Sequence, residues 1–260
     1  MKTNIFCGLV MLTFFSLGIE ADALELGTNI TVYDGSSSQQ QGWHGENEDQ
    51  EVEPGCVATQ YWDLEGFFLK GWELQVIGGF DFKNGYDNVQ IGDIFIDVDG
   101  NYDPLATTGS GNSNVNSNFG YEYVLDLDFS DNGNTYTLYS LDTTDVTTTV
   151  YYSQNSNSNP WRYFSGGTYL QSGSFDYLSN LSDTDTGFFG GSHYALTGFD
   201  LGFIEPGTNF TAHLTMGCGN DNLMGQGTAP VPEPATFILM GMGLLGIATA
   251  AKRFPGKKGA

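Results

Sequence analysis

Short stretches in which apolar and polar residues alternate recur through the middle of the chain. Alternation is clear in residues 94–99 (IFIDVD) and again in residues 211–216 (TAHLTM). A period of two indicates β-strands with one face buried. Similar stretches that we predict as strands are residues 29–33, 57–68, 72–82, 121–129, 135–141, 146–152, 162–170 and 194–203.

Turn-forming residues separate these stretches. Asn84-Gly85, Asp99-Gly100-Asn101 and Asn132-Gly133 lie between predicted strands, and Asn-Gly and Asp-Gly pairs favour hairpin turns. The polar segments 109–118 and 153–159 are predicted as exposed loops. About ten short strands without helical periodicity predict an all-β fold, a single antiparallel β-sandwich or jelly-roll-like domain over residues 24–224. The strand order stays open.

The N-terminal residues 1–23 have the organisation of a signal peptide. Lys2 precedes an uncharged apolar stretch, residues 5–19, and Ala21 and Ala23 occupy positions −3 and −1 before Leu24. Small residues at these two positions predict cleavage before Leu24 and export of the rest. The alternative is an uncleaved N-terminal membrane anchor.

The C-terminal end begins with a predicted linker, residues 225–230, followed by a tail, residues 231–260. Residues 237–251 form an uninterrupted apolar stretch of 15 residues. As a helix it would measure roughly 22 Å, somewhat less than the ~30 Å hydrocarbon core of a bilayer. Lys252 and Arg253 follow it and favour the cytoplasmic side. We therefore expect one short C-terminal transmembrane helix with the body outside.

The tail resembles a known sorting signal. The triplet Pro232, Glu233 and Pro234, the short Gly-containing apolar stretch and the closing pair Lys252-Arg253 are similar to the PEP-CTERM signal of Gram-negative bacteria. The resemblance implies cleavage near residues 231–235 by an exosortase, a membrane-embedded cysteine protease or transpeptidase. It further implies a transient inner-membrane intermediate and a final place at the cell surface or in the extracellular matrix, with exopolysaccharide and biofilm. The alternative is an ordinary C-terminal membrane anchor.

Charge is distributed very unevenly. Between Leu24 and Pro230 there are three basic residues, Lys70, Lys83 and Arg162, against 28 acidic ones, a net charge of −25. Such a surface repels nucleic acid and anionic lipid headgroups. We therefore expect no nucleic-acid partner; the expected partners are the export machinery, the exosortase and exopolysaccharide.

Two cysteines remain after the signal peptide is removed. Cys56 and Cys218 lie near opposite ends of the body, and an even number of cysteines in an exported chain predicts a disulfide. Two separate buried thiols are the alternative. Neither cysteine belongs to a Cys/His spacing typical of a zinc site.

One acidic turn is a candidate calcium site. Asp97, Asp99, Asn101 and Asp103 place four oxygen-bearing side chains within seven residues around Gly100. Calcium takes six to eight oxygen ligands, and such a turn can supply several. The spacing is not that of an EF-hand, and the alternative is a solvated hairpin turn without an ion. A structural calcium ion is the one cofactor that the sequence suggests.

Catalytic signatures are absent from the sequence. It contains neither G-x-S-x-G nor H-E-x-x-H, and its three histidines, His44, His193 and His213, lack a metal-binding spacing. We therefore predict a non-catalytic surface or matrix protein of structural or adhesive function. Two alternatives stay open: a non-catalytic carbohydrate-binding module that stacks sugars on exposed aromatic rings, and a secreted hydrolase with an unrecognised site.

Overall fold

The computed structural model describes residues 24–32, 57–103, 113–130, 133–152 and 158–232, together with 240, 242–245 and 247. These residues include β-strands, a short α-helix (α1, Asp183–Thr186), two 3-10 turns (Gln60–Trp62 and Asn116–Asn118) and, near the C-terminus, helical residues at 240, 242–245 and 247. The strands are β1 Thr28–Asn29, β2 Thr31–Val32, β3 Gly66–Lys70, β4 Glu73–Gly78, β5 Ile94–Asp97, β6 Ser113–Val115, β7 Tyr123–Ser130, β8 Gly133–Ser140, β9 Val146–Thr148, β10 Arg162–Ser165, β11 Thr168–Ser174, β12 Asp176–Leu181, β13 His193–Asp200, β14 Asn209–Thr215 and β15 Asn222–Thr228.

The strands make three antiparallel sheets. The five-stranded sheet has the order β1-β3-β4-β13-β12, and the seven-stranded sheet has the order β11-β8-β7-β5-β14-β15-β2. A small third sheet has the order β10-β9-β6. The consecutive strands β1 and β2 belong to different large sheets, because β1 pairs with β3 and β2 pairs with β15. The first described segment therefore links the two large sheets directly.

The main hydrophobic core lies between the two large sheets. Phe67 and Val76 contribute from the five-stranded sheet, and Ile94, Ile96 and Leu214 from the seven-stranded sheet; all five are completely buried. Burying one such side chain contributes about 1.5–3 kcal/mol. The predicted all-β sandwich is confirmed.

The expectation of one buried and one exposed face is wrong for the central strands. Phe95 on β5 and His213 on β14 point away from the main core, yet both are fully buried. They belong to a second layer that contains Phe119 and Tyr121 and is flanked by Tyr163 of the small sheet. Because the small sheet and the segment before β7 cover this outer face, alternation in β5 separates two buried layers rather than core from solvent.

Several predicted boundaries also differ. Residues 57–65 are not a strand, since they contain the 3-10 turn Gln60–Trp62. Residues 162–170 belong to two strands, β10 and β11, which are separated by Gly166 and Gly167 at positive φ. The segment 109–118, predicted as a loop, contains β6.

The predicted linker, residues 225–230, is largely part of the folded body. Residues 225–228 are the second half of β15, which pairs with β14 along its whole length and with β2 at two positions. Ala229 is also buried. The reason is that two glycines in β15 lie where aromatic rings of neighbouring strands approach the backbone. Glycine here serves close packing instead of chain flexibility.

The two processing segments are described only in small part. Ala21, Ala23 and the rest of residues 1–23 lie outside the described residues. Within the apolar stretch 237–251, residues 240, 242–245 and 247 are helical and exposed. Among the residues that the structure describes, no helix is both long enough and apolar enough to span a membrane.

Candidate functional site

The turn after β5 forms the strongest cluster of candidate ligand atoms. Asp97 ends β5, Asp99 lies in the turn, and Glu122 comes just before β7, the neighbour of β5. One carboxylate oxygen from each of these residues lies within 4.8 Å of the other two. We call Asp97, Asp99 and Glu122 the acidic cluster.

Backbone N–H groups hold the acidic cluster in place. Asp97 accepts hydrogen bonds from the N–H groups of Gly100, Asn101 and Tyr102 at 3.1–3.3 Å. Glu122 accepts one from the N–H of Val98 at 2.8 Å. A carboxylate has about four lone-pair sites. Glu122 therefore keeps acceptor capacity for a further ligand, and Asp97 keeps it mainly at Oδ2, because Oδ1 accepts from all three N–H groups and Oδ2 shares only that of Gly100.

The negative charges of the acidic cluster repel one another. The pKa of Asp97 is raised, first by burial and further by the charge of Asp99. The pKa of Glu122 is raised by burial and then by the charges of Asp99 and Asp97. A bound cation would relieve this repulsion and lower both pKa values.

The sequence predicted this site in part. Asp97 and Asp99 belong to the acidic cluster, whereas Asp103 lies outside it, and Asn101 bears an amide in place of a carboxylate. The Asn101 amide donates to Asp99 at 2.8 Å, and Asp103 is exposed, with its backbone N–H bonded to the carbonyl of Phe119. Glu122 was missed because it is distant in sequence and reaches the turn only through the pairing of β5 with β7.

A buried hydroxyl lies beside the acidic cluster. Tyr121 is fully buried, and its hydroxyl has no hydrogen-bond partner. Its ring packs against Phe95, Tyr102 and His213, with centroid distances of 5.5, 6.0 and 5.6 Å. Burial raises the pKa of Tyr121 well above its usual value, and the nearby charge of Asp97 adds to this. An unpaired buried hydroxyl costs about 1–3 kcal/mol.

A second polar cluster is buried under α1. His193 lies between two carboxylates, with Nδ1 2.8 Å from Glu65 and Nε2 3.1 Å from Asp183. The side chains of His193 and Glu65 are fully buried, whereas Asp183 is 44% exposed. Gln60 donates to Glu65 at 2.6 Å and to the carbonyl of Ser192 at 3.1 Å. Ser192, next to His193 in sequence, thus contributes its backbone carbonyl to this cluster. The imidazole of His193 is not accessible to solvent.

Aromatic rings are exposed at one end of the sandwich. Tyr61 and Tyr86 stack with their centroids 5.1 Å apart and their planes at 9°, and they are 56% and 42% exposed. Trp62 meets Tyr86 edge-on at 5.1 Å. Tyr86 begins a tight turn in which Asp87 and Asn88 both have positive φ. We call Tyr61, Trp62 and Tyr86 the aromatic cluster. Trp161, in contrast, is buried.

The folded body ends just before the tail. Gly207 donates its N–H to the carbonyl of Ala229 at 2.9 Å, and Ala229 donates to Thr208 at 2.8 Å. Two residues later, Val231 is 66% exposed, and Pro232 is exposed as well. Glu233, Pro234, Lys252 and Arg253 lie outside the described residues. The segment that the resemblance predicts to be cleaved therefore starts where the fold stops.

Comparison with known families also separates the tail from the folded body. The model of the PEP-CTERM protein-sorting motif matches residues 230–253. The chain carries a PEP-CTERM sorting signal. This signal indicates an exported protein that is anchored in the membrane transiently and is processed by an exosortase. No curated protein and no solved structure matches the chain.

The predicted disulfide stays a prediction. Cys218 is buried, Cys56 lies outside the described residues, and no disulfide is present among the residues that are described. The chain next to Cys56 does come close to Cys218. Asn220 bonds with both its amide oxygen and its amide nitrogen to the backbone of Val57, each at 3.0 Å. This pair of bonds ties the two cysteine-bearing segments together.

Proposed function

We propose that this PEP-CTERM protein is a non-catalytic structural or adhesive component of the cell surface or extracellular matrix, associated with exopolysaccharide in a biofilm. The observation that carries the proposal is the order of the two parts of the chain. An acidic β-domain comes first, and the sorting signal follows it directly. Ala229, the last buried residue among those that the structure describes, precedes the motif at residues 230–253 by one position. Cleavage near residues 231–235 would separate the body without breaking a strand.

A non-catalytic role is supported by where the described histidines lie. His193 and His213 are both fully buried. Burial lowers the pKa of His213 to about 4, so that this imidazole is neutral at pH 7, and its Nε2 lies 2.8 Å from the carbonyl of Pro160. Asp93, whose pKa burial raises to about 7, is buried and accepts hydrogen bonds from the N–H groups of Leu127 and Tyr163. These groups tie strands together.

The first experiment measures the intact mass and the location of the native protein in cells with and without an active exosortase. We expect a mature form that starts at Leu24 and ends near residues 231–235, and its loss in cells without exosortase. The same mass reports the disulfide as a deficit of about two hydrogens. A mature form that keeps residues 237–260 in both cells would contradict processing by exosortase.

The second candidate function is that of a carbohydrate-binding module, and the exposed aromatic cluster favours it. Large aromatic rings are normally buried, so two exposed Tyr rings stacked beside a Trp edge offer an apolar surface of the kind that sugar rings contact. Asp87 and Asn88 flank the cluster and could bond to hydroxyl groups. A neutral polysaccharide is the expected ligand class, because the net charge of −25 on the body would repel an acidic polysaccharide.

This candidate function is tested by affinity electrophoresis in gels with neutral polysaccharide. We expect the exported protein to be retarded, and Tyr61→Ala together with Tyr86→Ala to remove at least about 1 kcal/mol of binding free energy. Phe164→Ala is the matched control, since Phe164 is an exposed aromatic residue on β10, outside the cluster. Equal retardation of all variants would contradict a sugar site at the aromatic cluster.

A further inference from the structure

We infer that the acidic cluster binds one Ca²⁺ ion, to which Asp97, Asp99 and Glu122 each contribute a carboxylate oxygen. Calcium–oxygen distances are about 2.3–2.6 Å, so that two oxygens on opposite sides of one ion lie about 4.6–5.2 Å apart. The three carboxylate oxygens lie within 4.8 Å of one another, which matches a single ion between them. This site is independent of the surface role proposed above, because it requires only the folded body.

The carboxylates are held together by the backbone in spite of their like charges. Five residues of the turn, from Val98 to Tyr102, direct four N–H groups at Asp97 and Glu122. These bonds hold both carboxylates at the turn that carries Asp99. No basic side chain contributes to the pKa shifts of Asp97 or Glu122 among the described residues. A bound cation would supply a positive charge beside these carboxylates.

The unpartnered hydroxyl of Tyr121 is a second and independent observation. Tyr121 lines a cleft of about 480 Å³ together with Asp99 and Glu122, and Asp97 lines an adjoining cleft that also contains Asp99. Its phenol is close enough to Asp97 and Asp103 to interact with both charges. Calcium takes six to eight oxygen ligands, and three carboxylates leave positions for water. A water molecule bound to the ion would give the Tyr121 hydroxyl the partner that the protein itself does not supply.

The ligand set favours Ca²⁺ over Mg²⁺. Mg²⁺ demands a near-ideal octahedron at 2.0–2.1 Å and gives up water reluctantly, so it is usually held by only one or two carboxylates, whereas Ca²⁺ accepts an irregular set of several carboxylate oxygens such as the three here. Three protein ligands on an exposed turn predict the modest affinity of extracellular calcium modules, with Kd about 10⁻⁴–10⁻³ M.

The test uses the full-length protein in detergent, stripped of metal with EDTA, in about 0.15 M salt so that general counter-ion attraction is screened. Calorimetric titration with CaCl₂ should give one site per chain, and MgCl₂ should bind more weakly. Terbium, used in place of calcium, should emit when tyrosine is excited, because Tyr102 and Tyr121 lie beside the site. Absence of both signals up to about ten times the expected Kd would overturn the inference.

Variants identify the ligands. Glu122→Gln and Asp99→Asn should each weaken Ca²⁺ binding roughly tenfold or more. The matched control is Asp128→Asn, which removes the same charge from an exposed position of β7. Circular dichroism without calcium shows whether each variant is folded; exposed Asp99 carries the test if Glu122→Gln does not fold. Equal affinity in Asp99→Asn, Asp128→Asn and the unaltered protein would mean that calcium is only a diffuse counter-ion.

Tyr121→Phe separates the ion site from a purely structural cluster. It removes only a buried hydroxyl, so the calcium-free variant should melt at a higher temperature than the unaltered protein. If the hydroxyl bonds to a water of the ion, the same variant should bind Ca²⁺ several-fold more weakly. An unchanged calcium affinity would remove Tyr121 from the site and, with it, the second observation on which the inference rests.

Discussion

At the scale of single residues, the buried histidine bridge has the clearest energetic consequence. Both ring nitrogens of His193 face carboxylates, Glu65 on one side and Asp183 on the other. Two acceptors require two N–H donors, so the geometry suits the imidazolium form. Burial alone would lower the pKa of His193, but the hydrogen bond and charge of Glu65, followed by those of Asp183, raise it above its usual value.

The raised pKa makes part of the stability dependent on pH. Because folded His193 binds its proton more tightly than the unfolded chain does, its contribution is complete below pH about 6.5 and is lost as the pH rises through the folded pKa. We expect His193→Gln to lower the free energy of unfolding by about 3–5 kcal/mol at pH 6, since Glu65 loses its buried counter-ion. The difference from the unaltered protein should shrink towards pH 9.

Urea denaturation at several pH values, followed by circular dichroism and with EDTA present, measures this difference. The charged groups that act on His193 are Glu65, Asp183 and Asp185, and the last two titrate far below this pH window because their pKa values are lowered. Asp183→Asn is the milder control, because Asp183 is partly exposed. A difference that grows with pH would contradict the imidazolium bridge.

This bridge could not be predicted from the sequence. The adjacent Ser192 and His193 are visible there, but Glu65 is 128 residues away from His193. Its position depends on the register of β3, β4 and β13, and a short hydrophobic pattern does not specify that register. The same limit applies to Glu122 in the acidic cluster, whereas Asp97 and Asp99 are close in sequence and were predicted.

At the scale of elements, β15 shows how composition misleads. The strand Asn222–Thr228 contains two glycines and little β-branched sequence, which favours a linker in a sequence-based prediction. In the fold, a Cβ atom at Gly225 would lie 2.8 Å from the side chain of Phe67 in the facing sheet. The absence of a side chain at Gly225 therefore lets the two large sheets approach each other. The alternation of residues along β5 and β14 did predict these strands correctly. Both strands lie between two apolar layers, and successive side chains point to one layer and then to the other.

Gly225→Ala tests this packing. The added methyl group must displace Phe67, so we expect the free energy of unfolding to fall by about 1–3 kcal/mol. Gln226→Ala on the exposed side of the same strand should change it by less than about 0.5 kcal/mol. Thermal denaturation of both variants, compared with the unaltered protein, measures the effect. Equal stability of the two variants would indicate that β15 behaves as the linker first predicted.

At the scale of the whole molecule, the sequence predicted the class of fold and the C-terminal sorting signal better than the arrangement of the strands. The apolar stretches, the turn pairs and the absence of helical periodicity are sufficient for a sandwich. The third sheet, β10-β9-β6, could not be predicted, because β6 and β9 are only three residues long and β6 lies in a polar segment. The sorting signal was predicted because its residues are contiguous, so that no tertiary arrangement is needed to bring them together.

The position of β15 also governs how the domain would respond to mechanical load. This last strand lies inside the seven-stranded sheet, between β14 and β2. A tether attached behind Thr228 would pull on a strand that is paired with β14 over seven residues and with β2 over two. Tension along the strand would shear these bonds together, whereas a strand at a sheet edge, pulled sideways, would open one bond at a time. A domain held at its C-terminal end in flowing water would thus bear force on an interior strand.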